Sequence, residues 1–311
     1  MEDKETSLAE VVETVEETNK EDTSEVVLVE AAPAEVLDSQ EAANPPEEAP
    51  VPEPIVKRTV GFFGETALHS LCAELAEKLP EAWEVVLVSA EKKTKNKKKA
   101  LNSDVVFISD DFCSDVENLV GAIREARQDS VVVIRGTVPI GTTAKLEAAF
   151  GNVMYNPDNT SPNMAAEDKR SQLASENYQL VGLIEADTDK LRFVIDLYTA
   201  LNFNGLWASK NVAFVGSTAA ELARATTLSF LAIKGEFLKE LDSLASGFGV
   251  DAQLLKNIVS TNAAIGSTEI DLEAYKPTLH AIFETLAAAG KEKDLDLKLH
   301  AAAHKASKCE A

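Results

Sequence analysis

Several protein classes are excluded by what this sequence lacks. It has three cysteines, Cys72, Cys113 and Cys309, with no paired spacing. That argues against a disulfide framework and fits a reduced, cytoplasmic protein. No apolar run approaches the roughly eighteen residues of a membrane span. The N-terminus is neither basic nor followed by an apolar core, and it is too acidic for a transit peptide, so no targeting leader is expected. No Ser/His/Asp or Cys/His arrangement stands out, and no internal repeat is present. Net positive charge is lacking too: the formal charge is −22, which argues against general affinity for nucleic acid.

The acidic charge is unevenly placed. Residues 1–54 hold seventeen Asp and Glu against two Lys. They contain no aromatic residue and turn proline-rich after Asn44. Self-repulsion and scarce apolar surface predict a disordered acidic tail. It serves either as a solubilising segment or as a docking tail for a basic protein partner. Short apolar runs such as Val26–Val29 are where it would fold on one.

From residue 55 to 217 the pattern changes. "RTVGFFG" (58–64), "WEVVLVS" (83–89), "SDVVFIS" (103–109), "SVVVIRG" (130–136), "NVMYNP" (152–157), "NYQLVGL" (177–183) and "NVAFVGS" (211–217) read as strands, with helical patterns between most of them. Continuous Val/Ile runs alternating with helices predict a Rossmann-like, doubly wound parallel sheet covered on both faces. From 218 to 311 the chain reads as helix. Phe230, Ile233, Phe237, Leu241, Leu244 and Phe248 keep one apolar stripe along an unusually long helix. The expected architecture is an α/β domain followed by an all-helical domain with a long central helix.

Four segments resemble, in order, the UDP-glucose/GDP-mannose dehydrogenase family. "VVVIRGTVPIGTTAKLEAAF" (131–150) is similar to that family's strand, S-T-V-P-P-G-T-T turn and helix. "NPDNTSPNMAAED" (156–168) is similar to its N-P-E-F-L-R-E-G-x-A-x-x-D segment. "STAAELARATTLSFLAIKGEFLKELDSLASGFGVDAQLL" (217–255) resembles the start of its central helical domain, with Glu221, Leu222, Phe230 and Leu231 in register. Ile265-Gly266 stands where the family has I-G. The resemblance implies a Rossmann fold, a cofactor site for NAD, and dimer contacts through the helix at 218–248. It implies oxidation of a sugar-nucleotide alcohol to the acid with two NAD⁺, using a Glu, a Lys, an Asn and a nucleophilic Cys.

The parts of that chemistry do not carry over residue by residue. Counted from Gly61, the glycine turn offers Gly61 and Gly64, but Phe63 and Thr66 fall at the second and third glycine places. A phenyl ring there would block approach to a pyrophosphate. Gly61, Gly64 and Thr137 are the candidate cofactor contacts, with NAD the only cofactor suggested. The family's active-site Glu falls on Pro162, and the Gly after it on Asn163. The earlier Glu falls on Asp158. The central-helix Lys becomes Arg224, which can neutralise an oxyanion but cannot exchange protons, and the Asn becomes Leu228. "IGSTEIDLEAYKPTLHAIF" passes from Gly266 straight into a helix, so the cysteine loop is expected to be missing, as is the family's UDP-binding third domain. The "RGTVPIGTT" turn reads as architecture, with Thr142 or Thr143 capping the next helix.

The chain therefore reads as an inactive relative of these dehydrogenases, with a binding, structural or assembly role and a homodimer through residues 218–248. A working NAD-dependent dehydrogenase with a divergent site is the alternative. A third reading is a sensor that binds a nucleotide or sugar nucleotide without turnover. The lysines of "EKKTKNKKK" (91–99) are open to three readings: a site for an anion or acidic partner at 92–99, a solvated loop, or an attractor for the acidic tail. His300 and His304 share a helix face, read as solvent-exposed rather than as a metal pair, and no metal site is expected.

Overall fold

The computed structural model describes Val27–Leu28 and residues 56–308, except 90–95, 161–164, 176–177, 184–187, 209–210 and 267–275. Nearly all of the acidic tail, Pro162, Asn163, Cys309 and the first part of the lysine segment therefore lie outside the described residues.

A short strand β1 (Val27–Leu28) is followed by β2 (Arg58–Phe63), α1 (Ala67–Lys78), β3 (Trp83–Val88), α2 (Lys97–Leu101), β4 (Val105–Ile108), α3 (Asp110–Cys113), α4 (Val116–Ala126) and β5 (Val131–Ile134). Then come α5 (Thr142–Phe150), β6 (Val153–Tyr155), α6 (Ala166–Ser175), β7 (Tyr178–Leu183), α7 (Thr188–Phe203) and β8 (Asn211–Gly216). Four helices follow: α8 (Ser217–Gly247), α9 (Ala252–Ser260), α10 (Lys276–Glu292) and α11 (Lys298–Lys308). The strands form one sheet in the order β1-β8-β7-β6-β5-β4-β2-β3.

Five strands, β3, β2, β4, β5 and β6, run parallel, and β8 runs parallel to β7. This is the expected Rossmann-like sheet. It departs from an all-parallel one where β7 meets β6 antiparallel through Tyr155 and Gly182. The alternation of strand residues explains the two covered faces. Val105, Phe107, Val131 and Val133 face α1 and α7 in one core, while Val106, Ile108, Val132 and Ile134 face α4 and α5 in another. A third core joins α8 to α10 through Ala225, Leu228, Ala232, Leu279, Ile282, Phe283 and Leu286.

Two expectations change. Val27 and Leu28 pair antiparallel with Phe214 and Ala213, so the acidic segment is not disordered throughout. A short continuous apolar run, Val26–Val29, supplies the strand that pairs with the edge of β8. The lysine segment is not all loop: Lys97–Lys99 open α2, because Ala100 behind them is fully buried against the sheet. Lys99 is paired with Glu84 at 2.5 Å.

Candidate functional site

Strand order reverses between β2 and β4, and in open α/β sheets the crevice at such a reversal is where ligands bind. Gly64, with φ +97°, makes the turn out of β2. Only glycine adopts that conformation without strain, and a Cβ there would also strike Ser109 Oγ. Gly61 is not the turn glycine that the sequence suggested. It lies inside β2, where a Cβ would come within 2.6 Å of the Ala100 carbonyl oxygen, so it lets α2 close on the sheet. Counted from Gly64, the second and third glycine places fall on Thr66 and His69. Thr66 caps α1, its Oγ1 accepting from the His69 amide at 3.1 Å. Phe63 packs in the core edge-on to Phe112, with ring centres 5.5 Å apart, rather than over the turn.

Above the turn stands Arg224, on the first half of α8 and 4% exposed. Its Nη2 donates to Asp110 Oδ2 at 2.8 Å and its Nε to Thr137 Oγ1 at 3.4 Å. The Thr137 amide donates in turn to Asp110 Oδ1. Its Nη1 is buried with no hydrogen-bond partner among the described residues. Burial opposes the charge on Arg224, but Asp110 and Asp158 outweigh it and raise its pKa above the usual arginine value.

Asp158, its side chain 13% exposed, lies on the other side. Burial alone would raise its pKa, but Arg135, Arg224 and the Thr160 amide and hydroxyl hold it below the usual carboxylate range. Arg135 Nη2 lies 3.8 Å from Asp158 Oδ2, and its Nη1 donates to Asn156 Oδ1. Asn156 is fully buried, accepting from the Tyr198 hydroxyl at 2.7 Å and donating to the Leu180 carbonyl at 2.7 Å. Asn156 thus pins the end of β6 to β7 and α7.

Of the residues singled out by sequence, Thr137, Asp158 and Arg224 come together near Gly64. Leu228 does not join them: one turn further along α8, it is buried against α10. Asp110 and Arg135 were missed, although they stand two residues and one residue beyond all-buried strands, at the carboxyl edge of the sheet. The cap of α5 was also misassigned. Neither Thr142 nor Thr143 provides it; Glu221 on α8 accepts from the Gly141 and Thr143 amides at 2.5 and 2.7 Å. A residue 78 positions away in sequence gives no local signal. His304 stacks on Phe283, ring centres 5.4 Å apart, so it is not simply solvated.

The thiols described are poor nucleophiles. Burial pushes Cys113 up to about 12, and it pushes Cys72 further still. Glu65, Thr66, Ser109, Asp110, Asp111, Asp158, Thr160, Lys169 and Arg224 line a cavity of about 190 Å³. A dinucleotide's pyrophosphate rests on free amides of a helix start beside a glycine-rich turn. Here four carboxylates face two cations, and Thr66 already engages the helix start. These residues do not fit a dinucleotide in that pose. A larger, mostly apolar cleft of about 840 Å³ is bounded by Thr137–Gly141, the start of α8 and α10.

No family model matches the chain. UDP-glucose 6-dehydrogenase of Rhizobium meliloti (strain 1021) is 27% identical over 185 residues, covering 53% of this chain and 40% of that protein. The chain thus spans less than half the length of the curated relative it matches. Among solved structures, the UDP-glucose dehydrogenase of Pyrobaculum islandicum superposes with a TM-score of 0.61 at 18% identity, over 84% of this chain and 70% of that one. The UDP-D-ManNAc dehydrogenase of Pyrococcus horikoshii gives 0.60 at 14%, over 80% and 68%. Mycobacterium tuberculosis 3-hydroxyisobutyrate dehydrogenase gives 0.57 at 12%, over 82% and 94%. With this Rossmann-like fold and these collinear segments, the chain is similar to the UDP-glucose/GDP-mannose dehydrogenase family.

Proposed function

We propose that this protein is a non-catalytic relative of the nucleotide-sugar dehydrogenases, acting as a homodimeric binding or assembly protein. The observation that carries the reading is the Arg224–Asp110 ion pair at 2.8 Å. It stands at the strand reversal, the place where a dehydrogenase would seat its cofactor and reactive groups. Arginine cannot serve as the proton acceptor of an alcohol oxidation, because it stays charged. Leu228 contributes to a hydrophobic core instead of the site. An alcohol-to-acid oxidation also needs a thiolate to trap the aldehyde, and the described cysteines are buried thiols.

The homodimer is supported by α8 itself. Phe230, Phe237, Leu244 and Phe248 are 61%, 48%, 56% and 82% exposed and recur on one side of the helix. Leu254 and Ile258 of α9 continue the exposed apolar surface at 55% and 57%. Contiguous apolar surface of this kind marks an interaction site. A second copy presents the same surface, as a two-fold interface requires.

The test is incubation of purified protein with NAD⁺ and UDP-glucose, UDP-N-acetylglucosamine or GDP-mannose. NADH, aldehyde or ketone above background is not expected. Sustained NADH formation that disappears in Arg224→Ala would establish the second reading, an NAD-dependent dehydrogenase with a divergent site. That reading is favoured by the positive charge kept at Arg224.

A further inference from the structure

The two edges of the sheet are finished differently. At β3, Glu84 carries a charge paired with Lys99, and the Leu87 carbonyl accepts from Asn96 Nδ2 at 3.2 Å. β8 has no such device. Its sequence, NVAFVG, holds no charge and no proline, and it pairs with β7 residue for residue without a bulge. Charges, prolines and bulges are how natural sheets keep an edge from pairing with another chain. Val212 and Phe214 pack on one core and Val215 on the other, so both faces of the strand are held and its outer backbone groups are left to be covered. Among the described residues, β1 meets them, antiparallel, through Val27 opposite Phe214 and Leu28 opposite Ala213.

That cover is short and comes from far along the chain. β1 is two residues long, below the ordinary range of strands. The apolar run that supplies it, Val26–Val29, is bounded by Glu25 and Glu30, charges of the kind that stop a strand from lengthening. So short a strand docks weakly by itself, and a tether changes the balance. In sheet order β8 and β2 lie five steps apart, about 24 Å. About 27 residues separate Leu28 from Val56, and an unstructured chain of that length averages about 30 Å end to end. A tether whose length matches its span gives an effective concentration in the millimolar range. At micromolar protein, the chain's own segment is then favoured over that of a second copy by roughly a thousandfold.

We propose that Val26–Val29 is a tethered plug for the β8 edge. It docks there as an added strand, releases and returns, and while docked it keeps the sheets of two copies from joining edge to edge. Recognition is of the strand-addition kind, made by main-chain hydrogen bonds. The assignment holds whether or not the protein turns over a substrate, and it does not involve the outward face of α8.

Hydrogen exchange read by mass spectrometry on the full-length protein tests the plug. Proline at both paired positions, Val27→Pro with Leu28→Pro, removes the donors of the added strand. Residues 211–216 are expected to exchange at least about tenfold faster in this variant, with β4 and β5 unchanged. Val11→Pro with Val12→Pro, elsewhere in the tail, is expected to leave residues 211–216 as in the parent. A synthetic peptide of residues 22–33 at millimolar concentration is expected to restore protection to the first variant. Light scattering of that variant is expected to give a mass above that of the parent at the same concentration. Equal exchange at 211–216 in parent and variant, the same loss in the second variant, or no protection by the peptide would overturn the plug. A variant with no gain in mass would overturn its shielding role. Protection in the parent that rises with protein concentration would assign the edge to the tail of a second copy and overturn the tether.

Discussion

Arg224 and Asp110 are unequal partners, since the guanidinium is 4% exposed and the carboxylate 41%. Removing one member of a pair costs what the other then suffers. Arg224→Met leaves an aspartate that water can reach, and a loss of about 1–2 kcal/mol in unfolding free energy is expected. Asp110→Asn strands a buried guanidinium and should cost more, about 3 kcal/mol. Urea denaturation of the two variants gives the order, and the reverse order would mean that Asp158 is the main counterion. Asp158 also sets a pH dependence. Its folded pKa lies below the ordinary value near 3.9, through Arg135, Arg224 and Thr160 acting against burial. Its contribution is therefore present above about pH 4 to 5 and is lost as pH falls through the depressed folded value. Asp158→Asn should flatten that acid limb of a stability-versus-pH curve. His69, whose pKa is lowered by burial, adds a separate limb that begins nearer pH 6.5 and should persist in the variant.

Along α8, 31 residues and about 46 Å of helix, two apolar faces share one element. The inward face carries Ala220, Ala225, Leu228 and Ala232, with Ser217, Glu221, Arg224 and Ser229 as its polar members. Small residues let the helix lie close to the sheet and α10, and the two charged residues reach across to the α5 start and to Asp110. Restoring the family residue at position 228 should harm the protein. Leu228→Asn would put an amide among Leu279, Ile282 and Phe283 with no evident partner. A loss of about 3–5 kcal/mol is expected from the lost apolar packing and the unmet polar group. A stability change near zero, measured by calorimetry, would show that the site and the helical core exchange residues here.

At the scale of the whole molecule, the outward face of α8 decides whether the protein is one chain or two. No helix among the described residues is long and apolar enough to cross a membrane, so a bilayer-spanning helix does not explain that surface. Phe237 is half-exposed in the monomer, so a charge there does not enter a core. Phe237→Asp is expected to convert a dimer to a monomer in light scattering at micromolar concentration, with far-UV circular dichroism unchanged. A parent protein that already scatters as a monomer would remove the homodimer from the proposal.

Periodicity and residue type alone were enough for much of this architecture. Val/Ile runs at residues 105–108 and 131–134 mark strands covered on both faces, because only such strands can be apolar at every position. The long stripe from Phe230 to Phe248 marks α8, because helical spacing survives without tertiary help. The resemblance to the dehydrogenase segments drew attention to Thr137, Asp158 and Arg224, and the fold brings Thr137 and Asp158 close to Arg224. Tertiary structure settled what spacing cannot reach. Gly61 serves α2 and not the turn because Ala100, far along the chain, closes on it. Glu221 caps α5 because α8 crosses that helix start. Asp110 belongs to the site because β4 ends beside β2, and strand order is a fact of the folded sheet alone. The small acidic cavity arises from the same cause: its walls come from five separate stretches of chain, and only the fold brings them together.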